Sequence, residues 1–294
     1  MSDVELVLDA HALNGETPTW SPREQKLYWI DIEEPALRRF DPSTGKDERW
    51  RMPSEIGAYA LCEDGAIIAA LRTGLMRIDV ERQSSESLAE PPYDPLTHRF
   101  NDGKCDPQGR FWIGTMFKPL DGSKARSDTP PTPLYVYGGR ELRAAATSAV
   151  IGNGLAWSPD GATLYYSDSH AQLIRAYDFD AEQGRISRER QFAHLERGVP
   201  DGAAVDVEGC YWVANYDGGR VIRFNPDGRV ERELELPVSE PTMCAFGGSD
   251  LRGLYITSAR SGLSKDDAAR QPHAGGLFRC RAPAPGLPTS YFRA

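Results

Sequence analysis

Short runs in which apolar and polar residues alternate follow one another along the chain, separated by turns that contain glycine. Alternation with a period of two is typical of β-strands with one buried face, and the period of about 3.6 that marks an amphipathic helix is not sustained anywhere. The turns Glu-Asp-Gly, Pro-Gln-Gly, Pro-Asp-Gly and Val-Glu-Gly supply the glycine that tight hairpins need at positive φ. The pattern therefore predicts an all-β fold.

Six segments repeat one order of features: a strand of small apolar residues, a turn, a strand of aromatic and branched residues, and a third strand. The first strands begin near Thr17, Ala58, Gly103, Gly154, Gly202 and Met243. Repeats of three or four short strands are typical of β-propellers, whereas a pair of stacked sheets would not explain the fixed order. We predict a six-bladed β-propeller with four-stranded antiparallel blades, forming a single domain over residues 1–294.

Two segments fall outside the repeat. We expect the strand near Val4–Leu8 to pair with the sixth blade and close the ring of blades. Residues 118–133, rich in Pro, Ser, Asp and Lys, interrupt the third repeat. They form either a solvated loop or a flap over a functional site.

Polar side chains recur at one position of the repeat. The first strands end, just before the turn, at Trp20, Leu61, Cys105, Trp157, Val205 and Phe246. Four residues upstream of these lie Glu16, Gly57, Asn101, Asn153, Asp201 and Thr242. Because the innermost strands of a propeller surround a central channel, we expect these positions to form a ring at one end of it.

Carboxylate and amide oxygens at this position suit a hard divalent cation such as Ca²⁺, Mg²⁺ or Mn²⁺, and also zinc or iron. Each residue alone could instead cap a turn, since Asn and Asp are common before glycine in loops. The agreement of Glu16, Asn153 and Asp201 favours one divalent metal ion, whose identity the sequence leaves open. Gly202, having no side chain, would leave room for water and substrate beside the ion.

Composition limits the binding partners and the cellular compartment that we expect for this protein. The net charge of −9 disfavours a nucleic-acid partner, because a polyanion would be repelled. No apolar run approaches the roughly 18 residues that span a bilayer, and the N-terminus lacks the regions of a secretory signal. Five separated cysteines indicate reduced thiols. We therefore expect a cytoplasmic protein without a membrane partner, for which a monomer is plausible and an oligomer stays open.

Five motifs, in this order, resemble those of the regucalcin/gluconolactonase family. They are Gly15-Glu16-Thr17-Pro18-Thr19-Trp20, Arg99-Phe100-Asn101-Asp102-Gly103-Lys104, Gly114-Thr115-Met116, Asn153-Gly154-Leu155-Ala156-Trp157 and Pro200-Asp201-Gly202. The similarity spans nearly the whole chain. It implies a six-bladed propeller that holds a divalent metal on the channel axis and hydrolyses sugar lactones.

The resemblance also implies roles for individual residues. Glu16, Asn153 and Asp201 match the metal ligands of the family, and Asp201 is similar to the residue proposed as its general base. With these roles, the metal polarises the lactone carbonyl and activates water, while Asp201 takes the proton of the water and delivers it to the ring oxygen. No organic cofactor is expected.

Substrate binding is assigned to four further residues. Arg99 and Asn101 match positions that hold sugar hydroxyls, and Asp102 lies beside them. Some members carry a substrate-binding glutamate after Gly-Thr-Met, but Phe117 and Lys118 follow here, so Lys118 is the candidate replacement. We expect hydrolysis of gluconolactone or a pentonolactone. The alternatives are a hydrolase of non-sugar lactones or phosphotriesters on the same fold, and a non-catalytic metal-binding or docking propeller.

Overall fold

The computed structural model describes residues 4–293, so that residues 1–3 and 294 of the predicted domain lie outside the described part. The strands form six antiparallel sheets of four strands each. This confirms the predicted six-bladed β-propeller. Residues 4–293 contain one short α-helix, α1 (Lys265–Arg270), whose N-cap is Ser264. The sequence did not predict this helix, because six residues are too few to show a helical period.

The strands, in chain order, are β1 (Glu5–Leu8), β2 (Gly15–Ser21), β3 (Lys26–Asp31), β4 (Ala36–Phe40), β5 (Asp47–Arg51), β6 (Ile56–Leu61), β7 (Ile67–Leu71), β8 (Gly74–Asp79), β9 (Ser84–Ala89), β10 (His98–Cys105), β11 (Phe111–Phe117), β12 (Thr132–Tyr137), β13 (Leu142–Ala149), β14 (Gly152–Trp157), β15 (Thr163–Asp168), β16 (Leu173–Asp180), β17 (Arg185–His194), β18 (Val199–Val205), β19 (Tyr211–Tyr216), β20 (Arg220–Phe224), β21 (Val230–Glu235), β22 (Pro241–Gly247), β23 (Gly253–Ser258) and β24 (Leu277–Arg281). The connection between β11 and β12 is therefore residues 118–131. The last two residues of the predicted loop belong to β12.

The blades fall into two compact units. Unit 1 comprises the described residues of Met1–Pro53 together with Leu195–Thr289. It holds the sheets β2–β5, β18–β21 and β22–β24, and β1 pairs antiparallel with β24 in the last of these. The predicted pairing of the first strand with the sixth blade is thus confirmed. In its core, the rings of Trp212 and Phe246 meet edge to face at 6.0 Å.

Unit 2 comprises Ser54–His194 and the described residues of Ser290–Ala294. It holds the sheets β6–β9, β10–β13 and β14–β17. Trp112, Trp157 and Phe179 pack edge to face against one another, with centroids 6.1, 5.6 and 5.8 Å apart. Aromatic contacts of this kind stabilise a core beyond the area that they bury.

A buried aspartate fixes the first hairpin of one blade in each unit. Asp106 follows β10 and Asp206 follows β18, and each accepts hydrogen bonds from backbone N–H groups of its turn. Each also accepts the indole N–H of the tryptophan six residues later, Trp112 or Trp212, at 2.9 Å. These carboxylates are committed to holding the hairpins, which distinguishes them from the acids at the strand starts.

All five cysteines are free thiols, as predicted. Within residues 4–293, no helix has the length and apolarity needed to cross a membrane.

Candidate functional site

A β-bulge follows the candidate residue on three of the first strands. The pairing register shifts directly after Glu16 on β2, Asn101 on β10 and Asn153 on β14. The residues that come next have left-handed backbone, with φ of 47° at Thr17, 23° at Asp102 and 66° at Gly154. Bulges redirect side chains, and left-handed backbone is unfavourable for residues other than glycine. The direction of the candidate side chains is thus set by a repeated irregularity of the strand.

Asp201 lies inside a bulge rather than before one. On β18 the register shifts directly after Pro200. Pro200 is therefore the last paired residue before the bulge, as Glu16 is on β2 and Asn153 is on β14. The predicted register of Asp201 is therefore wrong by one residue. The sequence alignment counted back from the predicted last residue of each first strand and took no account of the bulge. In β18 the bulge lies one residue further from that last residue than it does in β2 and β14.

In unit 1, three buried carboxylates lie at strand starts. Glu16, Asp201 and Glu240 are 6%, 8% and 4% exposed, and we call them the acidic end of unit 1. The backbone N–H of Thr17 donates to Oε2 of Glu16 at 2.8 Å, which orients this carboxylate. Glu240 directly precedes β22.

Contacts of β22 bring these starts together. On one side of β22, Thr242 Oγ1 donates to the carbonyl of Gly15, next to Glu16. On the other side, a Cβ added to Gly202, next to Asp201, would lie 2.3 Å from Cγ of Met243. The prediction that Gly202 leaves room for water and substrate is therefore wrong, because Met243 fills that space.

Tyr216, at the end of β19, faces the acidic end. Its hydroxyl hydrogen-bonds with Glu240, and burial, reinforced by the negative charges of Glu240 and Asp201, raises the pKa of Tyr216. Burial also raises the pKa of Glu240. The Oε2 atom of Glu240 is buried and has no hydrogen-bond partner among residues 4–293. The sequence analysis missed Glu240, although it lies only two residues before the aligned position Thr242.

In unit 2, the candidate residues form a chain of hydrogen bonds that we call the amide cluster. Arg99 Nη1 donates to Oδ1 of Asn101 at 2.7 Å, and Nδ2 of Asn101 donates to Oδ1 of Asn153 at 2.9 Å. Nδ2 of Asn153 donates to Ser169 Oγ at 2.8 Å. Arg99, Asn101 and Asn153 are 3%, 7% and 4% exposed. The cluster holds the Asn153 amide in one orientation.

Asn101 uses both N–H groups of its amide within the chain. The second one donates to the carbonyl of Gly152 at 2.9 Å. Since an amide has only two such donors, none remains for a sugar hydroxyl. The predicted substrate contact of Asn101 stays a prediction, but its hydrogen bonds favour a positioning role.

Asp102 connects β10 to β14. Its Oδ2 accepts the backbone N–H of Leu155 at 2.9 Å, and burial raises the pKa of this carboxyl group. Oδ1 is buried without a hydrogen-bond partner in the described part of the chain. The predicted substrate contact of Asp102 is likewise untested, and these contacts favour a structural role.

A buried arginine that the sequence analysis missed organises the segments around β10. Arg72 forms an ion pair with Glu55. Its guanidinium donates to three backbone carbonyls, those of Pro95 at 2.8 Å, His98 at 3.1 Å and Lys118 at 3.1 Å. The predicted substrate residue Lys118 is exposed, and its contact with substrate stays a prediction. No local sequence signal reveals Arg72, because its partners are 17 to 46 residues away.

Residues 118–131 are attached to the segment before β10 at their first turn. Lys118 N donates to the carbonyl of Thr97, and Leu120 N donates to that of Leu96, both at 2.9 Å. The side chains of Leu96 and Leu120 are both 63% exposed. The function of this loop as a flap stays a prediction.

A second group of possible metal ligands lies at the β18–β19 hairpin. One ligand atom each of Asp206, Glu208 and Cys210 lies within 4.8 Å of the others. Arg223 forms ion pairs with Asp206 at 2.8 Å and Glu208 at 2.6 Å, which offset part of the negative charge of these carboxylates. Burial raises the pKa of the Cys210 thiol to about 12. Arg223 makes this group an ion-pair cluster that closes the hairpin.

Fold and side chains define a six-bladed β-propeller with carboxylate, amide and guanidinium groups at the starts of its first strands. The chain belongs to the SMP-30/gluconolactonase/LRE-like family, whose model matches residues 14–260. This confirms the resemblance seen in the sequence.

Individual relatives match over nearly their whole lengths. The chain is 44% identical over 291 residues to a 6-deoxy-6-sulfogluconolactonase of Pseudomonas putida, covering 98% of both proteins. It is 37% identical to the regucalcin of Oryctolagus cuniculus, over 94% of this chain and 93% of the relative. Among solved structures, the calcium-binding protein regucalcin of Agrobacterium tumefaciens matches with a TM-score of 0.90 at 27% identity, over 98% and 97% of the two chains.

Proposed function

We propose that the protein is a metal-dependent lactonase that hydrolyses sugar lactones to aldonic acids. The observation that carries the proposal is the pair of buried carboxylates, Glu16 and Asp201, at the strand starts of unit 1. The 44% identical 6-deoxy-6-sulfogluconolactonase supports a sugar lactone as the substrate. Gluconolactone, its sulfonated analogue and pentonolactones are the first candidates.

The residues fit a divalent cation. A divalent cation would offset part of the cost of burying two carboxylates, and oxygen donors suit Ca²⁺, Mg²⁺, Mn²⁺ and Zn²⁺. Oδ1 of Asn153 accepts one hydrogen bond and, being a carbonyl oxygen, can take a second partner. We propose Glu16, Asn153 and Asp201 as the ligands. When bound, the ion would polarise the lactone carbonyl and lower the pKa of a water molecule.

Side chains of the protein transfer the proton and orient the substrate and the metal ligand Asn153. Asp201 takes a proton from the water whose oxygen attacks the lactone carbonyl carbon. As the bond from that carbon to the ring oxygen breaks, the same proton passes to the ring oxygen, which becomes a hydroxyl. Arg99 orients the polyhydroxylated ring, and Asn101 holds Asn153 in place.

Proton release from glucono-1,5-lactone tests this function. We expect turnover above the spontaneous rate, its loss after removal of metal by a chelator, and its recovery when a divalent salt is added back. Full turnover in a sample that elemental analysis proves to be metal-free would show that the reaction does not depend on a metal. Activity confined to phosphotriesters or unsubstituted lactones would favour the sister hydrolases, and no activity on any of them would favour a docking protein.

We further propose a cytoplasmic, monomeric enzyme. Five free thiols are typical of a reducing compartment, and a propeller of complete four-stranded blades needs no partner strand. Light scattering after size-exclusion chromatography measures the oligomeric state.

A further inference from the structure

We propose that Glu240 is a substrate-recognition residue that binds a hydroxyl group of the sugar ring, and that Tyr216 is its positioning residue. The inference rests on the proposed lactonase function.

The first argument is the unsatisfied carboxyl oxygen. Glu240 is 4% exposed, and its Oε2 has no hydrogen-bond partner in the part of the chain that the structure describes. Buried polar atoms are almost always hydrogen-bonded in folded proteins, so an exception calls for a partner that is not part of the chain. A hydroxyl group of a bound sugar can be that partner.

The second argument is position. Glu240 directly precedes β22, which packs between the strand of Glu16 and the strand of Asp201 through the contacts of Thr242 and Met243. The charge of Asp201 and that of Glu240 both act on the hydroxyl of Tyr216. The unsatisfied oxygen therefore belongs to the same end of unit 1 as the proposed general base.

The third argument is that the carboxyl group is held in place. A Cβ added to Gly262 would lie 2.6 Å from Oε1 of Glu240 and 2.9 Å from the hydroxyl of Tyr216. The pair thus packs directly against a backbone that carries no side chain, and the backbone carbonyl of Glu240 accepts the N–H of Ala259 at 2.9 Å. A fixed carboxyl group can select the position of a hydroxyl, whereas a mobile one cannot.

The charge around Glu240 indicates what it binds. Asp217, Asp267 and Glu33 also act on its carboxyl group, so the surroundings are acidic. An anionic substituent would be repelled there, while a neutral hydroxyl can both donate and accept a hydrogen bond.

Steady-state kinetics with two lactones tests the role of Glu240. We expect Glu240→Ala to raise KM for glucono-1,5-lactone about tenfold or more, as is usual for a lost hydrogen bond to a charged group. Glu240→Gln, which keeps the shape, should lie between this variant and the wild type. Neither should alter kcat/KM for δ-valerolactone, which has no hydroxyl groups. The matched control is Glu235→Ala, because Glu235 is exposed at the end of β21.

Three results would overturn the inference. One is an unchanged KM for gluconolactone in a folded Glu240→Ala variant, and another is an equal loss on both lactones, which would indicate a structural effect. The third concerns the substitution Tyr216→Phe. Made alone it should raise KM for gluconolactone, but combined with Glu240→Ala it should raise KM no further than Glu240→Ala alone does. Additive effects would remove the positioning role.

Binding of glucitol, a sugar alcohol that cannot be hydrolysed, separates this inference from the proposed function. Calorimetry should show binding about tenfold weaker in Glu240→Ala than in the wild type. If the wild type binds glucitol but hydrolyses no lactone, the lactonase proposal fails. In that case equal glucitol binding by the variant would overturn the role of Glu240 as well.

Discussion

The acidic end of unit 1 and the amide cluster of unit 2 both lie at or near the starts of first strands, but one consists of carboxylates and the other of a guanidinium and two amides that bond to one another. In the amide cluster, Arg99, Asn101 and Asn153 are joined in one chain of hydrogen bonds. In the acidic end, three carboxylates are buried, and Oε2 of Glu240 has no hydrogen-bond partner among the described residues 4–293. We propose a division of labour in which Glu16 and Asp201 of the acidic end carry the reaction and the amide cluster orients Asn153.

The largest effect should follow from a change in the acidic end. Asp201→Ala removes both the proposed base and a proposed metal ligand, so kcat/KM for the best lactone should fall by about a thousandfold or more. Initial rates at saturating metal measure this. Glu235→Ala, the exposed control, should keep the wild-type rate. A loss of less than tenfold would show that Asp201 is not the reactive group. The assignment of the reaction to the acidic end would then be wrong.

A smaller effect is expected from the amide cluster. Asn101→Ala removes the donor that orients Asn153, so affinity for the metal should fall about 10- to 100-fold, the usual effect of changing a residue behind a ligand. Titration of metal-free protein with Ca²⁺ or Mn²⁺ measures it, and saturating metal should restore most of the rate. If excess metal restores nothing, Asn101 contacts the substrate directly, as the sequence first suggested.

The smallest effect concerns Asp102, whose pKa is raised by burial. A raised pKa means that the folded state holds the proton more tightly, so the stabilising contribution is complete below about pH 4 and is lost as pH rises through the folded pKa. In the Asp102→Asn variant, the side chain at this position does not titrate, so it makes no contribution that changes with pH. The stability of this variant relative to the wild type should therefore increase from about pH 4 upward. Urea unfolding across this range measures the difference, and a constant difference would contradict the assignment.

The sequence was sufficient for the fold because the evidence for it is local. Alternation, glycine turns and the six-fold order of strands predicted six blades, and five of the blades are built from four consecutive strands, while the last combines β22–β24 with β1. The composition of the candidate site was also visible, since Glu16, Asn153 and Asp201 stand near the starts of their strands.

What the sequence could not predict depends on the position of bulges and on distant contacts. The register of Asp201 was wrong because a bulge changes the count along a strand without leaving a residue pattern. The role of Gly202 was wrong because Met243, on another strand, fills the space beside it. Arg72 was missed because its partners are brought to it only by folding.

The bulges also determine where the chemistry of this chain can be changed. Side chains at a bulge stand where the regular pairing of the strand is interrupted, so their exchange alters chiefly the contacts at the strand start, such as the bond from Asn101 to Asn153. The second blade is the exception, because a side chain at Gly57 would place Cβ 2.0 Å from the carbonyl oxygen of Phe100. New substrate contacts are therefore better engineered at Glu240 than at Gly57, and a change at Asn101 would also disturb Asn153.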